Sequence, residues 1–158
     1  MILGMTVFTL VHVLISLIGI AAGLAVVSGM IGNNRMDAAT GVFLLFTVLT
    51  SVTGFFFPIT KLTPALILGT ISLVVLAITL VARYAFAMRG SWRWVYVVTA
   101  VAAQYFNTFV LVVQSFLKIP ALHALAPQGS EPPFAIVQGA VLIFYVATGF
   151  LAVRRFRP

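Results

Sequence analysis

Apolar runs of about 20 residues, separated by short polar or proline-bearing stretches, recur five times along the chain. The first spans roughly residues 2–30 and ends in the turn-rich GNNRMD. The second covers 39–57 (ATGVFLLFTVLTSVTGFFFP) and stops at Pro58; after ITKL and Pro64 the third covers 63–84. A basic, aromatic loop, RYAFAMRGSWRW, leads to the fourth run over 94–118, which Pro120 ends. The loop IPALHALAPQGSEPP precedes the fifth, over 134–153, and RRFRP follows it. Each run is long enough to cross bilayer hydrocarbon as a helix. The pattern predicts an all-α integral membrane protein, a single bundle of five transmembrane helices occupying residues 1–158 as one domain. The alternative is a four-helix core with one peripheral or re-entrant helix. The first run lacks a basic leader and exceeds a signal-peptide apolar region, so it predicts a retained helix.

Composition agrees with that pattern. Hydrophobic residues make up 63% of the chain and charged ones 7%, too few to cover a soluble core. Lys and Arg total 9 against 2 acids. These basic residues flank apolar runs rather than interleaving with aromatics in a soluble module, so nucleic acid is not an expected partner. Five spans would place Arg35, Arg83, Arg89, Arg93, Arg154, Arg155 and Arg157 on one side and Lys61 and Lys118 on the other. The positive-inside rule then predicts a periplasmic N-terminus and a cytoplasmic C-terminus. Trp92, Trp94, Tyr96 and Tyr84 fit an aromatic belt on the arginine side, and Phe55 to Phe57 one opposite. With no cysteine, thiol redox chemistry, thiolate metal sites and iron–sulfur ligation are excluded.

Helical phase organises the polar residues. At about 100° per residue, Gln104, Asn107, Leu111, Gln114, Ser115 and Lys118 form one seam on the fourth helix, predicted to face the bundle interior. The first helix aligns Thr9, His12, Ser16, Gly19 and Gly23, the last two forming a GxxxG step. The second groups Thr40, Thr47, Thr50, Ser51 and Gly54; the third carries Gly69, Ser72 and Thr79; the fifth aligns Gln138, Tyr145 and Gly149. The polar density leans toward the Lys118 side, as in a vestibule closed below. His12, Ser16, Thr47, Thr50, Ser51, Gln104, Asn107, Gln114, Lys118 and Gln138 are therefore the candidate ligand-binding set.

Two readings fit these faces. Small and polar residues hold membrane helices together at roughly 0.6–2 kcal/mol per hydrogen bond. Alternatively, three amides on one helix supply donors and acceptors for a ligand. His12 reads either as a histidine satisfied by a neighbouring hydroxyl or as a proton acceptor or axial ligand. Lys118 either snorkels to the interface or attracts an anion or Glu131. Asp37 either caps the second helix or pairs with Arg35. The Arg154–Arg157 cluster reads first as a stop-transfer signal and second as an anionic-lipid contact. Trp92-Arg93-Trp94 reads as an interfacial anchor or a docking point for a subunit. No embedded carboxylate pair, metal-ligand spacing, Walker loop or acidic ion relay is present. The leading expectation is a non-enzymatic binding or accessory protein with an outward-facing polar pocket for a small polar or amphiphilic ligand such as a lipid or quinone headgroup. The alternatives are a small oligomeric channel or transporter, and a membrane redox enzyme using His12. No cofactor is predicted, with haem and quinone left open, and no metal site.

The stretches FNTFVLVVQSFLKIPALHALAPQGSEPPF, WRWVYVVTAV and LTSVTGFFFP resemble small inner-membrane proteins of proteobacteria. That resemblance implies a bacterial inner membrane and carries no activity. Size and helix number are also similar to DoxX-type proteins, without motifs to carry over. The expected partners are membrane lipids, with a homo-oligomer or a larger membrane complex as further possibilities.

Overall fold

The computed structural model describes residues 5–58 and 60–158. The five apolar runs are five helices long and apolar enough to span a membrane. α1 is Val7–Ile31, α2 Asp37–Gly54, α3 Pro64–Leu80, α4 Trp92–Lys118 and α6 Pro132–Arg155; α5, Pro120–Leu125, is a short helix in the loop before α6. The chain is a multi-pass helical membrane protein, and no strand occurs among the described residues. The Thr6 hydroxyl accepts from the Thr9 N–H and caps α1. Of the stretch expected to begin that helix, Ile2, Leu3 and Gly4 lie outside the described residues. Thr63 caps α3 in the same way, followed by Pro64 in the first turn, where no N–H is needed. α3 continues as one π-turn, Val81–Ala85, and its wider winding carries Arg83.

Packing around the bundle runs α1–α2–α3–α4–α6 and back to α1, with α1 also touching α4. Burial is concentrated at one end. On α1 the buried residues begin at Gly19 and reach Met30, while on α2 they run from Thr40 only to Thr47. On α3 they start at Ser72, and on α4 six of them lie between Tyr96 and Gln104. Nearly all of these sit in the half where the arginines lie, with Thr47 and Ser72 just past the middle of their helices. Toward the other end two helix pairs stay joined. α1 holds α2 through His12–Thr53 and the turn after α2 through Phe8 and Phe57, whose rings lie 4.9 Å apart. α4 holds α6 through Phe116 against Phe134 and through Gln138. Between those pairs the packing is loose.

The arginine end is tied by directed polar contacts. Arg83 is almost fully buried, pairs with Asp37 at the start of α2, and lies over the Tyr96 ring at 5.1 Å. Asp37 also meets Arg35 at 3.3 Å. Arg93 on α4 donates to the Val153 and Phe156 carbonyls, both at 2.8 Å, satisfying the last turn of α6. The Arg157 N–H donates to Asn33 Oδ1 at 2.7 Å and fastens the tail of α6 to the α1–α2 turn. Asn33 and Met36 adopt positive φ in that turn.

Candidate functional site

The seam of α4 enters the bundle at its lower half. Gln104 is fully buried; its Nε2 donates to the Ile20 carbonyl at 3.0 Å and reaches the Tyr145 hydroxyl at 3.4 Å. Tyr145 pairs with Thr108 at 2.7 Å, and Thr108 donates back to the Gln104 carbonyl. One turn along, Asn107 Nδ2 donates to Thr47 Oγ1 at 3.0 Å. Gln104 thereby joins α4 to α1 and α6, and Asn107 joins it to α2. The GxxxG step makes this possible. A Cβ on Gly23 would overlap the Gln104 amide oxygen and press on the Phe43 ring; one on Gly19 would touch Phe46 and Thr47. The Gln104 Oε1 has no conventional donor and faces Gly23.

Above this polar floor the seam leaves the packed interior. Gln114, Ser115 and Lys118 follow the phase of Asn107, toward α1 and α2, yet Gln114 and Lys118 are exposed and Ser115 is half-buried. The expectation that the whole seam is interior holds for Gln104 and Asn107 and not for Gln114. Burial along the seam falls from fully enclosed Gln104 through half-buried Asn107 to exposed Leu111, Gln114 and Lys118, so phase alone does not keep the upper seam covered. Phe116, which lies outside the polar seam, is buried edge-to-face against Phe134.

The remaining candidates divide similarly. His12 Nδ1 hydrogen-bonds Thr53 Oγ1 at 2.7 Å and its ring lies edge-on to Phe57 at 5.0 Å, so it locks α1 to α2 rather than facing α4 directly. Ser16 donates to its own helix at the His12 carbonyl, 2.7 Å away, and Thr50 to the Phe46 carbonyl at 2.8 Å. Both are half-buried, as is Ser51. Gln138 is buried, its Nε2 donates to the Phe109 carbonyl at 3.2 Å, and its Oε1 has no hydrogen-bond partner. Lys118 does not pair with Glu131 among the described residues. Glu131 instead accepts from the Gln128 and Ser130 N–H groups at 2.8 and 3.0 Å, and the Gln128 bond in particular holds its carboxyl below the usual carboxylate range. The described residues contain no cluster of three or more metal-ligating side chains.

The candidate ligand-binding set left out three participants in these contacts. Thr108 lies one turn beyond Gln104, Thr53 one turn beyond Thr50, and Tyr145 shares a face with Gln138; helical spacing was the available signal for each. Chemically, the floor is a set of neutral donors and acceptors. It holds helices together, with Gln104, Thr47 and Tyr145 enclosed and Asn107 and Thr108 half-buried.

No family model, curated protein or solved structure matches the chain. The class therefore rests on its own residues: a multi-pass membrane bundle, packed at its arginine end and loose at the other.

Proposed function

We propose that the protein is a non-enzymatic binding or accessory component of a bacterial inner membrane, with its arginine end in the cytoplasm and its N-terminus in the periplasm. Its loosely packed half, open to the periplasm, receives a small polar or amphiphilic ligand such as a quinone or lipid headgroup. The observation that carries this reading is the polar floor formed by Gln104, Asn107, Thr47, Thr108 and Tyr145 at the border between the buried and the more exposed half of the bundle. Above it, Ser16, Thr50 and Ser51 are half-buried and Gln114 is exposed, which supports an accessible upper half. Below it, Val26, Met30, Phe43, Leu76, Tyr96 and Val97 form a dry seal, which favours a closed-ended binding cleft over a channel. His12 supports the walls through Thr53, and Lys118 at the rim favours anionic headgroups. The ligand set is thus the candidate set of the sequence with Thr108 and Tyr145 added.

The reading is tested with a short-chain prenyl benzoquinone and a lysophospholipid, each titrated against thermal unfolding of the detergent-solubilised protein. One of them should raise Tm saturably, and Gln114→Leu combined with Asn107→Leu should abolish the shift. No shift with either probe, or an equal shift in the double variant, would remove the binding cleft from consideration.

A further inference from the structure

The contact between His12 and Thr53 fixes where the imidazole carries its proton. Thr53 Oγ1 stands 2.7 Å from His12 Nδ1 and 2.7 Å from the Leu49 carbonyl. A carbonyl only accepts, so the single hydroxyl proton of Thr53 goes to Leu49. A lone pair of Thr53 Oγ1 then takes the proton of His12 Nδ1. Neutral His12 is thereby the Nδ1–H tautomer, and its Nε2 carries a bare lone pair. That nitrogen has no hydrogen-bond partner among the described residues and is not enclosed. The ring is half-buried, with Phe57 edge-on at 5.0 Å. A Cβ on Gly54 would lie 3.9 Å from Cε1, the carbon bonded to Nε2, so the glycine leaves that edge of the ring uncrowded.

The hydroxyls of this half have their protons committed in the same way. Ser16 donates to the His12 carbonyl, Thr50 to Phe46 and Ser115 to Leu111, at 2.7, 2.8 and 2.7 Å, each one turn back on its own helix. Each hydroxyl has one proton, so these oxygens have only lone pairs left to offer. Ser115 stands at the level of His12: the two lie equally far outward along their helices, about 16 Å, from the contact of Gln104 with Gly23. Ser51 and the Gln114 amide have no partner among the described residues and can give or take. The upper half is therefore rich in acceptors, and His12 Nε2 is the most basic of them.

We propose that His12 Nε2 selects the ligand: it accepts a hydroxyl proton, so this half takes a hydroxyl-bearing headgroup such as a hydroquinone and disfavours the matching carbonyl compound. A quinone carbonyl brought to His12 would set lone pair against lone pair, whereas a phenolic O–H makes a hydrogen bond there. This selectivity rests on the binding reading of the same half and names the chemistry that half recognises. Thr53 is the positioning residue, because its hydroxyl sets which imidazole nitrogen is bare.

The tautomer is read without ligand, from the imidazole nitrogen NMR shifts of the full-length protein in detergent at about pH 8, where an unperturbed imidazole is neutral. His123→Gln, on the exposed side of α5, removes the second histidine signal. His12 should show a protonated Nδ1 and a bare Nε2, and Thr53→Val should reverse them, since nothing then accepts from Nδ1. A short-chain prenyl hydroquinone, its dimethyl ether and the matching quinone are next titrated anaerobically against thermal unfolding. The hydroquinone should bind roughly three- to ten-fold more tightly than the other two, the size of one net hydrogen bond. His12→Asn keeps a donor for Thr53 but loses Nε2, and should level the three affinities with little change in Tm. Thr53→Val should favour the quinone. A protonated Nε2 in the parent, an unchanged tautomer in Thr53→Val, equal affinities in the parent, or a preference that His12→Asn leaves intact would overturn the assignment while the binding half stands. No shift with any of the three probes would remove that half and the selectivity with it.

Discussion

Gln104 occupies the space that Gly23 leaves by having no side chain: a Cβ there would overlap the amide oxygen of Gln104. The amide nitrogen of the same residue donates to the Ile20 carbonyl, one turn earlier on α1. A glycine and a fully buried amide therefore fit α1 against α4 as one unit.

Gly23→Ala should accordingly destabilise the bundle by about 1–3 kcal/mol, as overpacking does in a filled interior. Gly19→Ala should cost less, because its added carbon would sit at 3.4 Å from Phe46 and Thr47 rather than inside them. Gln104→Ala should rescue part of the Gly23→Ala loss by vacating the same volume. A double-mutant cycle read by thermal or denaturant unfolding in one detergent checks the coupling. Additive losses would mean that the two positions do not share space.

The two glutamines of one seam should behave differently. Gln104→Leu breaks contacts to Ile20 and Tyr145 in the core and should cost about 0.6–2 kcal/mol. Gln114→Leu alters an exposed position and should stay within about 0.5 kcal/mol of the parent. Unfolding of the single variants compares them directly.

The five spans, their approximate limits and the division of charge were legible in the sequence because the bilayer imposes them. A spanning segment needs about 20 apolar residues, and arginines collect at one set of ends. The lower half of the polar seam was legible as well, since spacing fixes direction and Gln104 and Asn107 do point at α1 and α2. Spacing does not fix how near the facing helix is, so the exposure of Gln114 could not be read from it. Arg83 carries the same lesson. By position it is one more flanking arginine, and only the π-turn rotates it inward to Asp37 and Tyr96. Thr53 was passed over in favour of Thr50, whose hydroxyl bonds its own helix instead.

The Arg83–Asp37 pair joins α2 to the end of α3. Arg83 is buried while the Asp37 side chain is 67% exposed, so the pair lies between the buried and surface cases. Asp37→Asn should leave Arg83 inside without its counter-charge and cost about 1–2 kcal/mol. High salt should change the parent only modestly, because the guanidinium is shielded from solvent. Unfolding of both proteins at low and high ionic strength checks this.

At the opposite end, Glu131 orders the turn before α6. Its folded pKa lies below the ordinary value of 4.5, with the Gln128 N–H as the leading cause. A depressed carboxylate stabilises the folded loop above that ordinary value, and the contribution is lost as pH falls through the folded pKa. Exchange protection of the Gln128 and Ser130 amides should therefore be constant near neutrality and decline below about pH 4.5, after correction for intrinsic exchange. Glu131→Gln should flatten that dependence. Equal profiles for both proteins would show that the carboxylate does not order the turn.

A nitroxide scan of the inward faces tests most directly whether the bundle is packed at its arginine end and open at the other. The chain has no cysteine, so single-cysteine variants can be labelled without background. Labels at Ser16, Ser51 and Gln114 should be mobile and accessible to a water-soluble relaxant, whereas labels at Val26, Thr47 and Ala100 should be immobilised and shielded. Uniform immobilisation along both halves, or mobile labels at Val26 and Ala100, would contradict the account.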